Sequence, residues 1–132
     1  MKARVRVDDA RSRVTITGGH DVPTARLVEA MVGAIRDLPA RVDHDFIIDI
    51  RETYGDGTHD HVQDAAEAFQ ALGAGEYPAH TCFITYDAGF VHWARAMDFS
   101  FRNRTHLCFA SLEAAEQFLD HREARAATRS AA

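Results

Sequence analysis

The stretch DFIIDI, residues 45–50, decides the predicted fold. Its central residues are apolar without the alternation of a half-exposed strand, which is typical of a strand buried on both faces of a sheet. The segments TCFITY (81–86) and THLCFA (105–110) have the same character. Apolar residues at helical spacing separate these segments, and strands that alternate with helices indicate parallel pairing through right-handed crossovers.

The N-terminal segment follows a different pattern. RVRVD (4–8) and RVTIT (13–17) alternate apolar and polar residues across a short connection, which predicts a hairpin. The order β-β-α-β-α-β-α-β-α therefore predicts a single α/β domain over residues 1–122. We expect a four- to five-strand, mostly parallel mixed sheet with an antiparallel N-terminal hairpin and about four helices. Residues 123–132 lack apolar periodicity, so we expect a frayed or disordered tail.

Polar residues at the ends of strands predict where the helices begin. Asp21, Thr58, Asp87 and Ser111 are expected at the four helix starts, because short polar side chains accept hydrogen bonds from the free N–H groups there. Gly73 is expected just after the second helix, in the left-handed conformation that glycine adopts at little cost.

Composition and motifs exclude several classes of function. The formal net charge of −5 argues against nucleic acid as a partner, because phosphate binding needs clustered positive charge. No apolar run is long enough to cross a membrane, and no secretory signal precedes the first strand. Cys82 and Cys108 lie in apolar runs, which predicts reduced, buried thiols in a cytoplasmic protein. Nucleophile-elbow, phosphate-binding-loop and dinucleotide-binding motifs are absent from the sequence, and no cofactor is predicted.

Histidines near the second helix suggest a metal-assisted hydrolase as the alternative function. His59 and His61 flank Asp60, and imidazole and carboxylate groups suit zinc or manganese. Two residues apart on a helix, however, they point in different directions, whereas a metal-binding pair needs a spacing of four. We therefore interpret them as solvated polar residues and predict no metal site.

Asp49 interrupts an otherwise apolar strand. A buried carboxylate is costly unless it is paired, and Arg51 lies two residues further on, where it shares the same face of the strand. The sequence predicts an ion pair at the end of this strand. The alternative is that Asp49 forms a charged floor of a ligand site.

Three segments carry a family resemblance. They are GGHD (18–21) followed by TARL (24–27), the strand FIIDI (46–50), and FASLEAAEQFL (109–119). In this order they resemble the STAS domain, the module of sulfate transporters and anti-sigma-factor antagonists, over about residues 3 to 120. The chain is also similar to bacterial proteins that resemble lipid-binding CRAL-TRIO domains. The resemblance implies a non-enzymatic regulatory or binding module, with homodimers among its expected assemblies.

One turn departs from the family pattern. Regulatory STAS domains carry an Asp-Ser-Ser-Gly-like turn in which a hydroxyl is phosphorylated, and the corresponding segment here reads Asp56-Gly57-Thr58-His59. The resemblance therefore implies Thr58 as a phosphoacceptor by its position alone. The simpler interpretation is that Thr58 only caps the second helix.

Ligands of open α/β sheets bind beyond the carboxyl ends of the strands. We therefore expect a regulatory protein or a small ligand to bind on that rim. Arg51 is the expected anion contact and Tyr86 the expected apolar wall, although these residues could equally serve only as caps and turns. The predicted rim consists of Arg51, Asp56, Thr58, Tyr86 and Asp87.

Overall fold

The computed structural model describes residues 3–55 and 59–131 and contains one five-stranded sheet. The first two strands are antiparallel, and each later strand runs parallel to the one before it. The predicted fold class is therefore confirmed. In spatial order the strands are β1 (Arg4–Asp8), β2 (Arg13–Thr17), β3 (Asp45–Asp49), β4 (Ala79–Ile84) and β5 (Arg104–Phe109).

Three helices cover one face of the sheet. Right-handed crossovers between consecutive parallel strands place their helices on the same side. Apolar residues of these helices pack on Val14, Ile16, Phe46, Ile48 and Phe83 of the strands. The helices are α1 (Thr24–Asp37), α2 (His59–Ala71) and α3 (Phe90–Met97), and short 3-10 helices occupy Asp9–Arg11 and Pro39–Asp43.

The fourth helix, α4 (Leu112–Ala131), covers the opposite face. Its Ala115 and Leu119 pack on Ile47 and Cys82 of the central strands. The apolar centre of strand β3 is therefore buried from both sides, as predicted.

Helix α4 continues beyond the boundary predicted at residue 122. Its last turns are rich in alanine and arginine, which are strong helix formers and extend a helix without an apolar stripe. Arg122 also reaches the sheet, where its guanidinium lies 2.7 Å from Nδ1 of His80. The helix therefore passes the expected boundary at residue 122, and the expectation of a frayed or disordered tail over residues 123–132 stays a prediction.

The predicted starts of α1 at Asp21 and of α3 at Asp87 are wrong. Helix α1 begins at Thr24, directly after Pro23, whose fixed φ of −63° leads into the helix. Helix α3 begins at Phe90, because the carboxylate of Asp87 accepts the N–H of Gly89 within a turn instead of capping the helix. At the start of α4, Ser111 does accept the N–H of Ala114, as predicted.

The predicted end of α2 is confirmed at Gly73. Its φ is +91°, a conformation that favours glycine. The N–H of Gly73 donates to Gln70 and the N–H of Ala74 donates to Phe69, both at 3.1 Å. These two hydrogen bonds supply donors to carbonyls that would otherwise have no partner at the end of the helix.

The cysteines are free thiols, and their burial differs. Cys82 on β4 is buried, whereas Cys108 is only half-buried, as are Leu107 and Phe109, because β5 is an edge strand. In the part of the chain that the structure describes, none of the helices combines the length and the apolar character that a membrane span requires.

Candidate functional site

A cleft of about 610 Å³ opens at the carboxyl ends of β2 and β3. Because β1 runs antiparallel to β2, its first residue, Arg4, pairs with Thr17 at the end of β2. Thr17 in turn pairs with Asp49 at the end of β3. These three residues form a row across the sheet, and the walls of the cleft add Arg51, Glu52 and Tyr86.

The predicted ion pair between Asp49 and Arg51 is confirmed. The guanidinium Nε lies 2.9 Å from one carboxylate oxygen and a terminal nitrogen lies 2.7 Å from the other. The backbone N–H of Arg51 also donates to Asp49. Hydrogen bonding by Asp49 raises the pKa of Arg51 above its ordinary value, so the guanidinium stays charged and fixed in orientation.

Tyr86 stands next to this ion pair. The residue is 76% exposed, and the Arg51 guanidinium lies 5.8 Å from the centroid of its ring, within the range of a cation–π contact. Arg51 and Tyr86 therefore present a charged group and an aromatic face side by side at the cleft. Arg51 was predicted as the anion contact, but its two bonds to Asp49 already balance much of its charge.

Of the other predicted rim residues, the structure describes only Asp87. Asp87 lies next to Tyr86 in sequence, but its carboxylate holds the turn before α3 and does not line the cleft. Asp56 and Thr58 lie outside the described residues, as does the side chain of His59. The roles predicted for Thr58 as a cap and as a phosphoacceptor stay predictions.

Sequence reasoning missed Arg4 and Glu52 as lining residues. The signal for Arg4 was present, because an antiparallel hairpin necessarily places the start of β1 beside the end of β2. Arg4 brings a second positive charge to the cleft, and Asp21 and Glu52 bring negative charges. The cleft is therefore polar and of mixed charge, which suits a polar or charged binding partner.

One of the two histidines predicted near the second helix, His61, lies on another surface. His61 lines a depression between α1 and α2 together with Asp64 and Glu67, away from the cleft. Among the residues whose side chains the structure describes, histidine, cysteine, aspartate and glutamate form no group of three or more that could hold a metal ion.

Comparison of the sequence with known protein families gives no matching family model, and comparison with curated proteins gives no match.

Proposed function

We propose that the chain is a non-enzymatic regulatory or binding module, similar to STAS domains, that recognises a regulatory protein or a small ligand at the cleft beyond β2 and β3. The observation that carries this proposal is the exposed ring of Tyr86 beside the fixed guanidinium of Arg51. Tyrosine and arginine are the side chains that most often anchor binding partners. A binding role also agrees with the parallel direction of β2 to β5, which leaves the loops that follow these strands on one rim.

The first prediction concerns Tyr86. Replacing it with alanine removes an exposed ring that stabilises little of the core, so we expect the fold to stay intact and partner binding to fall about tenfold. Tagged parent and Tyr86→Ala proteins should be compared by quantitative pull-down, with Leu38→Ala as a matched exposed apolar control on another surface. A partner that is captured equally by the parent and by Tyr86→Ala would contradict the assignment of the cleft.

The second prediction concerns Thr58. The substitution Thr58→Glu places a carboxylate at a helix start, where negative charge is tolerated, so partner binding should change while stability does not. Thr58→Ala should lower the free energy of unfolding by about 1 kcal/mol if the hydroxyl caps α2. Both variants are measured by pull-down and by urea denaturation. Binding that is identical in both variants and the parent counts against regulation at Thr58.

Metal content separates this proposal from the hydrolase alternative. Stoichiometric zinc or manganese in the purified protein, lost on replacing His59 or His61, would favour a metal-assisted hydrolase over a binding module.

A further inference from the structure

A second cavity, of about 280 Å³, lies at the opposite end of the sheet, where α2 ends and β5 begins. Phe69, Phe99 and Phe101 give it apolar walls, and Arg102 and Arg104 give it positive charge. No aspartate or glutamate is among its lining residues. An aromatic cavity of positive charge is unexpected in a chain whose formal net charge is −5.

Arg104 is the unusual residue at this cavity. It is only 5% exposed, and its guanidinium lies 5.1 Å from the ring centroid of Phe69 and 5.3 Å from that of Phe46. Within the part of the chain that the structure describes, its terminal nitrogens donate only to neutral oxygens. These are the carbonyls of Val42, His44 and His80 and the hydroxyl of Thr81, at 2.6 to 3.1 Å.

The charge of Arg104 is therefore not paired directly. Burial lowers its pKa to about 10, and Asp43 and Asp45 oppose this only through space. Its Nε–H makes no hydrogen bond with the described residues. Buried charges are usually paired, so an anion in the adjoining cavity would stabilise this guanidinium.

Arg102 is held at the same cavity by its aliphatic stem. A Cβ at Gly75 would lie 2.6 Å from Cγ of Arg102, so the stem packs where only glycine leaves room. Gly75 has a φ of +105°, and its N–H donates to Asp43 while its carbonyl accepts from Asn103. The guanidinium of Arg102 is exposed and forms no ion pair with a described residue.

The aromatic walls add a surface for an apolar group. Phe69 and Phe101 pack edge to face with centroids 5.4 Å apart, and Phe99 is 93% exposed beside them. The hydroxyl of Ser100 accepts from Gln63 and keeps its own proton available to donate.

We propose that this cavity binds a small organic monoanion with an apolar body, such as an aryl carboxylate. The carboxylate accepts hydrogen bonds from Nε of Arg104 and from the guanidinium of Arg102. The apolar body packs against Phe69 and Phe101, and Phe99 closes over it. This site shares no lining residue with the cleft at Arg51 and Tyr86, so each of the two assignments can be tested without the other.

Benzoate is the probe, with benzyl alcohol as its neutral counterpart and acetate as the anion without an apolar body. Titrations are followed in NMR spectra of the backbone amides and of the arginine Nε–H groups. We expect benzoate to bind in about the millimolar range, as a fragment-sized ligand does. It should shift the signals of residues 99–104 and of Arg104 Nε–H, and benzyl alcohol and acetate should bind at least about tenfold more weakly. Equal binding of benzoate and benzyl alcohol, or shifts confined to other surfaces, would overturn the proposal.

Exposed residues provide variants that leave the fold intact. Phe99→Ala and Arg102→Gln should each weaken benzoate binding about tenfold, whereas Leu38→Ala and Arg36→Gln, matched controls elsewhere on the surface, should not. Tyr86→Ala should also leave benzoate binding unchanged, which separates this site from the cleft. Benzoate binding that survives both Phe99→Ala and Arg102→Gln would show that the ligand lies elsewhere.

Discussion

Burial holds two histidines neutral in the folded protein, and each of them contacts a side chain outside its own strand. Nδ1 of His80 accepts from the guanidinium of Arg122, and Nδ1 of His106 lies 2.9 Å from a carboxylate oxygen of Asp98. Burial lowers the pKa of each histidine to about 4, and for His106 it outweighs the opposing effect of Asp98. No local sequence pattern predicts these contacts, because the partners are 8 and 42 residues away.

These histidines should make the stability fall as the pH falls below neutrality. Between their ordinary pKa of 6.5 and the folded value of about 4, the unfolded chain binds more protons than the folded one. Protonation therefore favours unfolding, by about 2 kcal/mol for His106 between pH 7 and pH 5 and by less for His80, which solvent screens more. Urea denaturation at pH 7, 6 and 5 measures the effect.

The pH dependence, and not the absolute stability, is the test of these residues. His106→Gln should flatten the dependence even though it lowers stability at pH 7. A parent protein equally stable at pH 7 and pH 5 would contradict the burial of neutral histidines.

At the scale of elements, α4 is tied to the sheet by a buried arginine. A terminal nitrogen of Arg13 on β2 donates to Asp120 and to Glu123, both at 3.0 Å, and its Nε is buried without a partner. Arg11 also pairs with both carboxylates. Arg13 is 107 residues from Asp120 and 110 residues from Glu123 in the chain. No local pattern in the sequence therefore predicts that these acidic residues hold α4 on β2.

Removing both carboxylates should destabilise the protein, because Arg13 is buried and would keep an uncompensated charge. For Asp120→Asn combined with Glu123→Gln we expect a clear loss in the free energy of unfolding, larger than the loss in the control. The control is Glu116→Gln. Glu116 forms an ion pair with Arg6 at 3.5 Å, and because both side chains are exposed, this pair contributes at most about 1 kcal/mol. Equal losses in the two proteins, measured by urea denaturation, would show that the Arg13 contacts do not hold α4.

At the scale of the whole molecule, the sequence predicted what periodicity and local spacing determine. The strand at 45–50, the order of the elements, the cap at Gly73 and the Asp49–Arg51 pair all follow from neighbours in the chain. Features that depend on distant segments were missed. The row from Arg4 to Asp49 requires strand register, and the cavity at Arg104 requires the loop after α3 to meet the end of α2.

The consecutive strand order affects how the chain folds while it is being synthesised. Each strand hydrogen-bonds to the one before it, so every new β–α unit emerging from the ribosome finds its partner already in place. The face formed by Ile47, Cys82 and Ile84 is the exception, because α4, which covers it, is made after all five strands. A nascent chain that ends before Leu112 therefore presents a bare apolar strip, the kind of surface that molecular chaperones bind.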